Sequence, residues 1–547
     1  MVSVQTDCLL SRHTVKRVKI IPTTKYIQNY SQASTFSCVS SPILAYVFGF
    51  CQPDQYIRET IMSDFISELK KLETDKLIYD LSEISIKMLT SNQCSRNLIF
   101  SALHFRKYQN LMSPLLAWDI PNIAFLSVKE SNDYHHSNKA SSIGHLVSLY
   151  RNYENAHSAA EAMKRTNSNG VFRILLGITA EQFEYQNPHW IFEKFNRDYY
   201  ILLAAEGFKH RNEIDTNLVI KETLGYYAND YIAILLMVFW LCIQRPDPLA
   251  VPESLYCRKE SSILTKENII NFVKYYSCTY QELRKHPLGK QLLYSKPFIR
   301  TQRSSSYLAV SAYLVAMLVG NGLYWLVRDY YLRRGTQQFV NAFGLLFEDY
   351  IEDLATKYCS ASEWEKLSVS NKKGADYIFD FGSLKLLVES KSSLLKLDVK
   401  QQVPNLESAD TFFNNTIKKA YCQLNSSYEQ LKSTCNVPIM KIILLYDEFS
   451  NTSLIESSIN EIFGQDSLCH VMTIRELEIL LYIHHNDKPN EIRILEKLLE
   501  SITPGNESKN LGTIYDELSI YENQHLSKDM DYFSKLTEYF GENLESN

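Results

Sequence analysis

The segment from Ala375 to Lys391 most constrains what this chain can fold into. Ala375 to Phe381 and Lys385 to Lys391 read as two β-strands joined by a turn at Gly382-Ser383. A connection that short forces antiparallel pairing, which brings Asp376, near the start of the first strand, beside Glu389, near the end of the second. Side chains alternate faces along a strand, so Glu389 and Lys391 point the same way. Two carboxylates and a lysine therefore converge on one patch. Carboxylate oxygens are hard ligands suited to Mg2+ or Mn2+, and the lysine can neutralise a phosphate or poise an attacking water.

Elements on either side extend the pattern. Gln337 to Tyr358 predicts a helix, with Phe339, Phe343, Leu346, Phe347, Tyr350, Ile351 and Leu354 forming an apolar stripe. Glu348 borders that stripe one turn after Gly344, and Glu352 falls further round toward solvent. Thr416 to Leu431 predicts a second helix, in which Lys419 and Gln423 share a face. Ile439 to Tyr446, an apolar run after Pro438, reads as a buried strand. A short strand at His470-Val471-Met472 comes next. Thr473 and Glu476 form a capping box opening a helix through Leu481. Strands alternating with helices in this order predict a mixed α/β sheet.

An acid, about a dozen residues and then acid-x-Lys, set among these elements, resembles the PD-(D/E)XK (restriction-endonuclease-like) nuclease superfamily over roughly residues 336–480. The family core runs helix, three-stranded meander, helix, strand, with an acid on the first helix. The resemblance implies catalytic roles for Asp376, Glu389 and Lys391. It implies a Mg2+ or Mn2+ site formed by Glu348, Asp376, Glu389 and the backbone carbonyl of Ser390. It also implies that Lys419 and Gln423 face the scissile phosphate. Gly374 matches the family's usual turn into the first catalytic strand, which favours Asp376 over Asp380 as the ligand. The chain departs from the family at Ala375, where a proline is usual. The implied reaction is metal-dependent hydrolysis of phosphodiester bonds, with DNA as the expected substrate and defence against foreign DNA, repair or recombination as the setting.

At 547 residues the chain exceeds one ordinary core. The expected architecture is multidomain: an N-terminal segment at 1–60, partly β, a helical accessory domain at 61–335, a nuclease-like α/β domain at 336–502 and an acidic tail at 503–547. The net charge of −5 provides no global basic field, so any affinity for nucleic acid must be local. Residues 281–303 concentrate Arg284, Lys285, Lys290, Lys296, Arg300 and Arg303 against Glu282. Arg328, Arg333 and Arg334 lie shortly beyond, and together they could line a DNA path. The 11 cysteines show no CxxC pair, which argues against a zinc site. No signal peptide is read at the N-terminus, and the expected location is cytoplasmic. Tyr307 to Val327 carries no charge and is long enough for a membrane span, but Gly320-Asn321-Gly322 and several polar residues interrupt it. A helix buried between domains would look the same. Two alternatives stand beside the nuclease reading: a non-catalytic binding module with a nuclease-like fold, and a membrane-associated sensor using residues 307–327. The helical region is also a candidate surface for a protein partner or for homo-oligomerisation.

Overall fold

The computed structural model describes residues 55–520, apart from 91–98, 101–114, 131–139, 164–167, 187–189, 251–262, 288, 303–305, 368–373, 402–403, 450–451, 465 and 504–509. The β-leaning stretch at Val15 to Pro22, His135-His136, Arg303 and most of the acidic tail lie outside the described residues.

Residues 55–335 are mainly helical, as their periodicity predicts, with the segments Gln55–Leu69, Thr74–Thr90, Asp119–Glu130, Ala140–Met163 and Ser168–Gln186 among them. A small three-stranded sheet (Ser277–Cys278, Phe298–Arg300, Tyr307–Ala309) interrupts the helices. An α/β region comes after it. From Gln52 onward the chain is one compact unit, and a single apolar core runs from Phe65 in the helical region to Tyr377, Val388 and Tyr446 in the α/β region.

Six helices frame the principal sheet and its anchorage: α1 (Trp190–Tyr199), α2 (Ala312–Arg333), α3 (Gln338–Tyr358), α4 (Lys419–Leu431), α5 (Ser453–Phe463) and α6 (Ile474–Asn486). The principal sheet has five strands: β1 (Trp364–Lys366), β2 (Tyr377–Asp380), β3 (Lys385–Lys391), β4 (Ile439–Leu445) and β5 (Cys469–Thr473), in the spatial order β5-β4-β3-β2-β1. β1, β2 and β3 form an antiparallel meander. β4 and β5 add in parallel after helical crossovers. Leu386, Val388, Ile442 and Leu444 face the core shared with α3 and α6. Leu387, Ile443, Leu445 and Val471 face a second core built with α4 and α5. The strand period of two thus sorts the sheet into two buried layers.

Several boundaries move. β2 is shorter than Ala375 to Phe381: regular pairing starts at Tyr377, although the Asp376 N–H still donates to the Val388 carbonyl at 2.9 Å. The predicted helix from Thr416 begins as a π-helical turn at Phe413–Lys418 and becomes α-helical at Lys419. The Thr473/Glu476 capping box is present, and α6 runs on to Asn486. β1 has no counterpart in the sequence reading, since three residues are too few to show a period.

The uncharged run at 307–327 divides into a strand, Tyr307–Ala309, and α2, whose N-cap Ser311 accepts a hydrogen bond from the Tyr313 N–H. α2 is buried along most of its length, which accounts for its composition without a bilayer. Among the described residues no single helix is long and apolar enough to cross a membrane; one pair, Arg211–Leu224 with Ala228–Gln244, passes on length and composition together but is bent by 61°. Gly320 lets α2 approach α1 closely. A Cβ there would lie 2.8 Å from Ile191 Cγ2 and 3.0 Å from the Ile191 carbonyl oxygen. Gly320→Val should therefore lower stability by about 1–3 kcal/mol through overpacking. Urea denaturation checks this, and an unchanged midpoint would show that the two helices can separate at little cost.

Several cations of the basic segment make contacts within the fold. Lys290 pairs with Glu181 at 2.5 Å and donates to Asn122 at 2.7 Å, and Arg284 donates to the Val128 carbonyl at 2.7 Å. Arg328 pairs with Asp329 and lies over Trp325, and Arg334 pairs with Glu222 and lies over Tyr330. Arg284, Lys285, Arg300, Arg333 and Arg334 are nevertheless exposed. Lys290, held by Glu181 and Asn122, is withdrawn from a DNA path, whereas the exposed arginines and Lys285 are not.

Candidate active site

The β2–β3 register ends at Tyr377 opposite Val388, and the Asp376 N–H still donates to the Val388 carbonyl at 2.9 Å, which brings Asp376 to the open end of the hairpin near Glu389. Glu389, two residues from Leu387, belongs to the face covered by α4, as does Lys391. The Lys391 ammonium donates to Glu389 Oε1 and lies 3.3 Å from Gln423 Oε1 on α4. Gln423 Nε2 in turn donates to the Gly374 carbonyl at 3.3 Å. Asp376, Glu389, Lys391 and Gln423 are thus gathered at one end of the sheet.

Glu389 is the unusual member. Its residue exposure is 2%, and Oε2 is buried with no hydrogen-bond partner. Burial, and next the charge of Asp376, push its carboxyl from the ordinary value of 4.5 up to about 7, with Lys391 opposing the shift and Glu348 adding to it. An unsatisfied buried carboxylate oxygen is costly to a fold, and functional sites are where such atoms persist.

Asp376 is held by its neighbour across the strand end. The Ser390 N–H and hydroxyl both donate to Asp376 Oδ2, at 2.8 and 2.7 Å. The sequence reading gives Ser390 a role through its backbone carbonyl alone. The structure gives its amide and hydroxyl the additional work of orienting Asp376. In a strand the N–H and C=O of one residue point to the same neighbour. The Ser390 carbonyl therefore also points to the Asp376 side, whereas the Lys391 carbonyl accepts from the Tyr446 N–H at 3.0 Å on the β4 side.

Close packing shapes the entry to this end. A Cβ on Gly374 would lie 2.6 Å from Ser427 Oγ, which accepts a hydrogen bond from the Ala375 N–H at 2.8 Å. Gly374 thus allows α4 to clamp the start of the strand, a role that Ser427 shares and that the sequence reading does not assign to it.

Glu348 takes a different position from the one expected. Its Oε2 lies 2.9 Å from Lys366 Nζ on β1, and among the described residues no three His, Cys, Asp or Glu side chains are grouped to hold a metal ion. α3 packs on the sheet face opposite α4, so the Glu348 side chain reaches β1 before it reaches Glu389. Glu352 does not point freely to solvent, since it pairs with both Lys366 (2.7 Å) and Lys209 (2.6 Å). Asp380 caps the hairpin, accepting from the Gly382 N–H at 2.9 Å and pairing with Lys385 at 2.7 Å. Lys419 is exposed at the first turn of α4, and among the described residues no hydrogen bond joins it to the carboxylates. Lys366 and Ser427 are the residues that sequence reasoning misses. Lys366 carries no signal in the sequence, because its strand is too short to be read.

The donor set suits a divalent cation in part. Asp376 and Glu389 supply hard oxygens, and Glu389 Oε2 is free for one. Among the described residues no third carboxylate is grouped with them, and Glu348, the expected third, is engaged by Lys366. Comparison of the chain with protein-family models, curated proteins and solved structures finds no significant match.

Proposed function

We propose that this chain is a metal-dependent nuclease that hydrolyses phosphodiester bonds, most simply in DNA, at the Asp376–Glu389–Lys391 end of the sheet. The observation that carries the reading is Glu389 Oε2, a buried carboxylate oxygen with no protein partner, set beside Asp376 and a lysine. Asp119 and Asp198 also bury a carboxylate oxygen without a partner, so what sets Glu389 apart is that its free oxygen lies beside Asp376 and Lys391 at an open strand end.

Asp376 and Glu389 would hold a Mg2+ or Mn2+ ion, which supplies Lewis acidity and lowers the pKa of a bound water. Ser390 fixes Oδ2 of Asp376, and the other oxygen would be the one offered to the ion. Lys391, held between Glu389 and Gln423, presents its ammonium to a phosphate oxygen or to the attacking water. Gln423 ties that lysine to the strand entry through the Gly374 carbonyl. Most of the catalytic effect would come from positioning and charge stabilisation. The resemblance to the PD-(D/E)XK superfamily supports defence against foreign DNA, repair or recombination as the setting.

A second reading, a non-catalytic nucleic-acid-binding module, is favoured by the engagement of Glu348 with Lys366. A substrate panel separates the two. Supercoiled plasmid, linear duplex, single-stranded DNA and RNA are incubated with the full chain and Mg2+ or Mn2+, with and without chelator. Chelator-sensitive cutting of any substrate supports the nuclease. Binding without cutting supports the module.

A further inference from the structure

α3 presents Glu348 and Glu352 one turn apart, and β1 places a single lysine against both. Lys366 Nζ lies 2.9 Å from Glu348 Oε2 and 2.7 Å from Glu352 Oε1. Lys209 pairs with the other oxygen of Glu352 at 2.6 Å. Glu352 therefore has two cations, whereas Glu348 has a share of one.

The backbone around Lys366 is anchored to the catalytic strand. Lys366 pairs with Tyr377 in the β1–β2 register, and the Leu367 N–H donates to the Asp376 carbonyl at 2.8 Å. The Glu348 main chain is anchored as well, since its carbonyl accepts from the Tyr377 hydroxyl at 3.4 Å. A Cβ built on Gly344, one turn earlier on α3, would lie 3.5 Å from Ser392 Oγ, just beyond Lys391. α3 thus passes near the open end of β3. To approach the Asp376–Glu389 pair, the Glu348 carboxylate would have to leave Lys366 and turn around the sheet end. Its present partner is weakly held: the Lys366 side chain is 43% exposed and that of Glu348 32%, and exposed ion pairs are worth little.

We propose that Lys366 is a positioning residue for Glu348: Lys366 and a divalent cation at Asp376–Glu389 compete for the same carboxylate, and Glu352 retains the lysine when Glu348 turns inward. The free Oε2 of Glu389 marks where the cation sits. This inference rests on the metal-site reading of Asp376 and Glu389. It assigns the missing third ligand to a side chain that is present but engaged elsewhere.

The test is Mn2+ binding to the full chain, without substrate, by calorimetry and by electron paramagnetic resonance of the free ion. Lys366→Gln frees Glu348 and should tighten Mn2+ binding by about three- to tenfold. Lys366→Arg keeps the pair and should stay close to wild type. Glu348→Gln should weaken binding. In the Glu348→Gln background the Lys366→Gln gain should vanish, because the lysine acts through that carboxylate. A gain of equal size in both backgrounds would mean simple charge repulsion and would overturn the proposal, as would unchanged or weaker binding by Lys366→Gln. If wild type fails to bind Mn2+, or Glu389→Gln binds it equally well, the metal-site reading itself fails and the role of Lys366 fails with it. Thermal melts of each variant separate loss of binding from loss of fold.

Discussion

Glu389→Gln is expected to abolish metal-dependent cleavage and, at the same time, to raise the stability of the protein above pH 7. The two effects share one cause. The Glu389 carboxyl is pushed from 4.5 up to about 7, chiefly by burial and then by Asp376. Between those values the folded chain holds a proton that the unfolded chain releases. Stability from this group is fully present below pH 4.5 and is lost as pH rises through 7, where the folded state must keep a charged carboxylate out of water. Glutamine cannot charge, so the variant should lack that decline. The difference approaches roughly 3 kcal/mol at pH 8 at most, from about 1.4 kcal/mol per pKa unit. Urea denaturation of both proteins at pH 5 and pH 8 measures it, and parallel pH profiles would show that Glu389 is not a stored cost. Cleavage should fall by at least about a hundredfold, the usual loss when one preorganised charge-stabilising group is removed. A substitution that stabilises the fold while removing activity is the signature of a site kept for function.

Arg197→Ala should be the most damaging single substitution outside the site. Arg197 is buried on α1. Its Nε and Nη2 pair with the two oxygens of Glu478 at 2.5 and 2.8 Å, and its Nη1 pairs with Glu448 at 2.5 Å. Tyr350 from α3 adds a hydrogen bond to Glu478 at 2.7 Å. Along the same helix Glu193 pairs with Arg475 at 2.5 Å, and Asp198 accepts from the Tyr446 hydroxyl. α1 thus fastens the helical region to the ends of β4 and α6. Removing the guanidinium leaves buried Glu448 and half-buried Glu478 without their cation, and breaking a buried pair typically costs about 3–5 kcal/mol. Arg197→Lys should recover little, because an ammonium cannot serve both glutamates with paired donors. Denaturation midpoints of the two variants check this. A loss below about 1 kcal/mol would mean that the network relaxes or takes up water.

What can be read from residues alone divides along physical lines. Local periods are legible. The alternation through Lys385–Lys391, the stripe of Phe343, Leu346 and Tyr350, and the Thr473/Glu476 capping box each express a rule acting over a few residues. The meeting of Asp376 with Glu389 and Lys391 is legible for the same reason, since a tight turn fixes register. Long-range pairings are not. Arg197 finds its partners 251 and 281 residues away, and nothing in Trp-Ile-Phe-Glu-Lys-Phe-Asn-Arg-Asp-Tyr distinguishes that helix from a charged surface helix. Lys366 stands on a three-residue strand with no period to betray it. Glu348 lies on the helix its periodicity predicts, but its partner is beyond the sequence. The choice between Lys366 and the Asp376–Glu389 pair depends on how far a side chain turns at the end of a sheet.

The most direct test of the catalytic assignment compares wild type with Lys391→Ala on whichever substrate the wild type cuts, at saturating Mn2+ and with a chelator control. Lys391 is partly exposed at the strand end, and alanine there leaves the register of β3 with β4 intact. The expected result is chelator-sensitive cutting by wild type and none by the variant, with both proteins folded. Equal cutting by the two would contradict the assignment and remove the Asp376–Glu389–Lys391 end of the sheet as the site of chemistry.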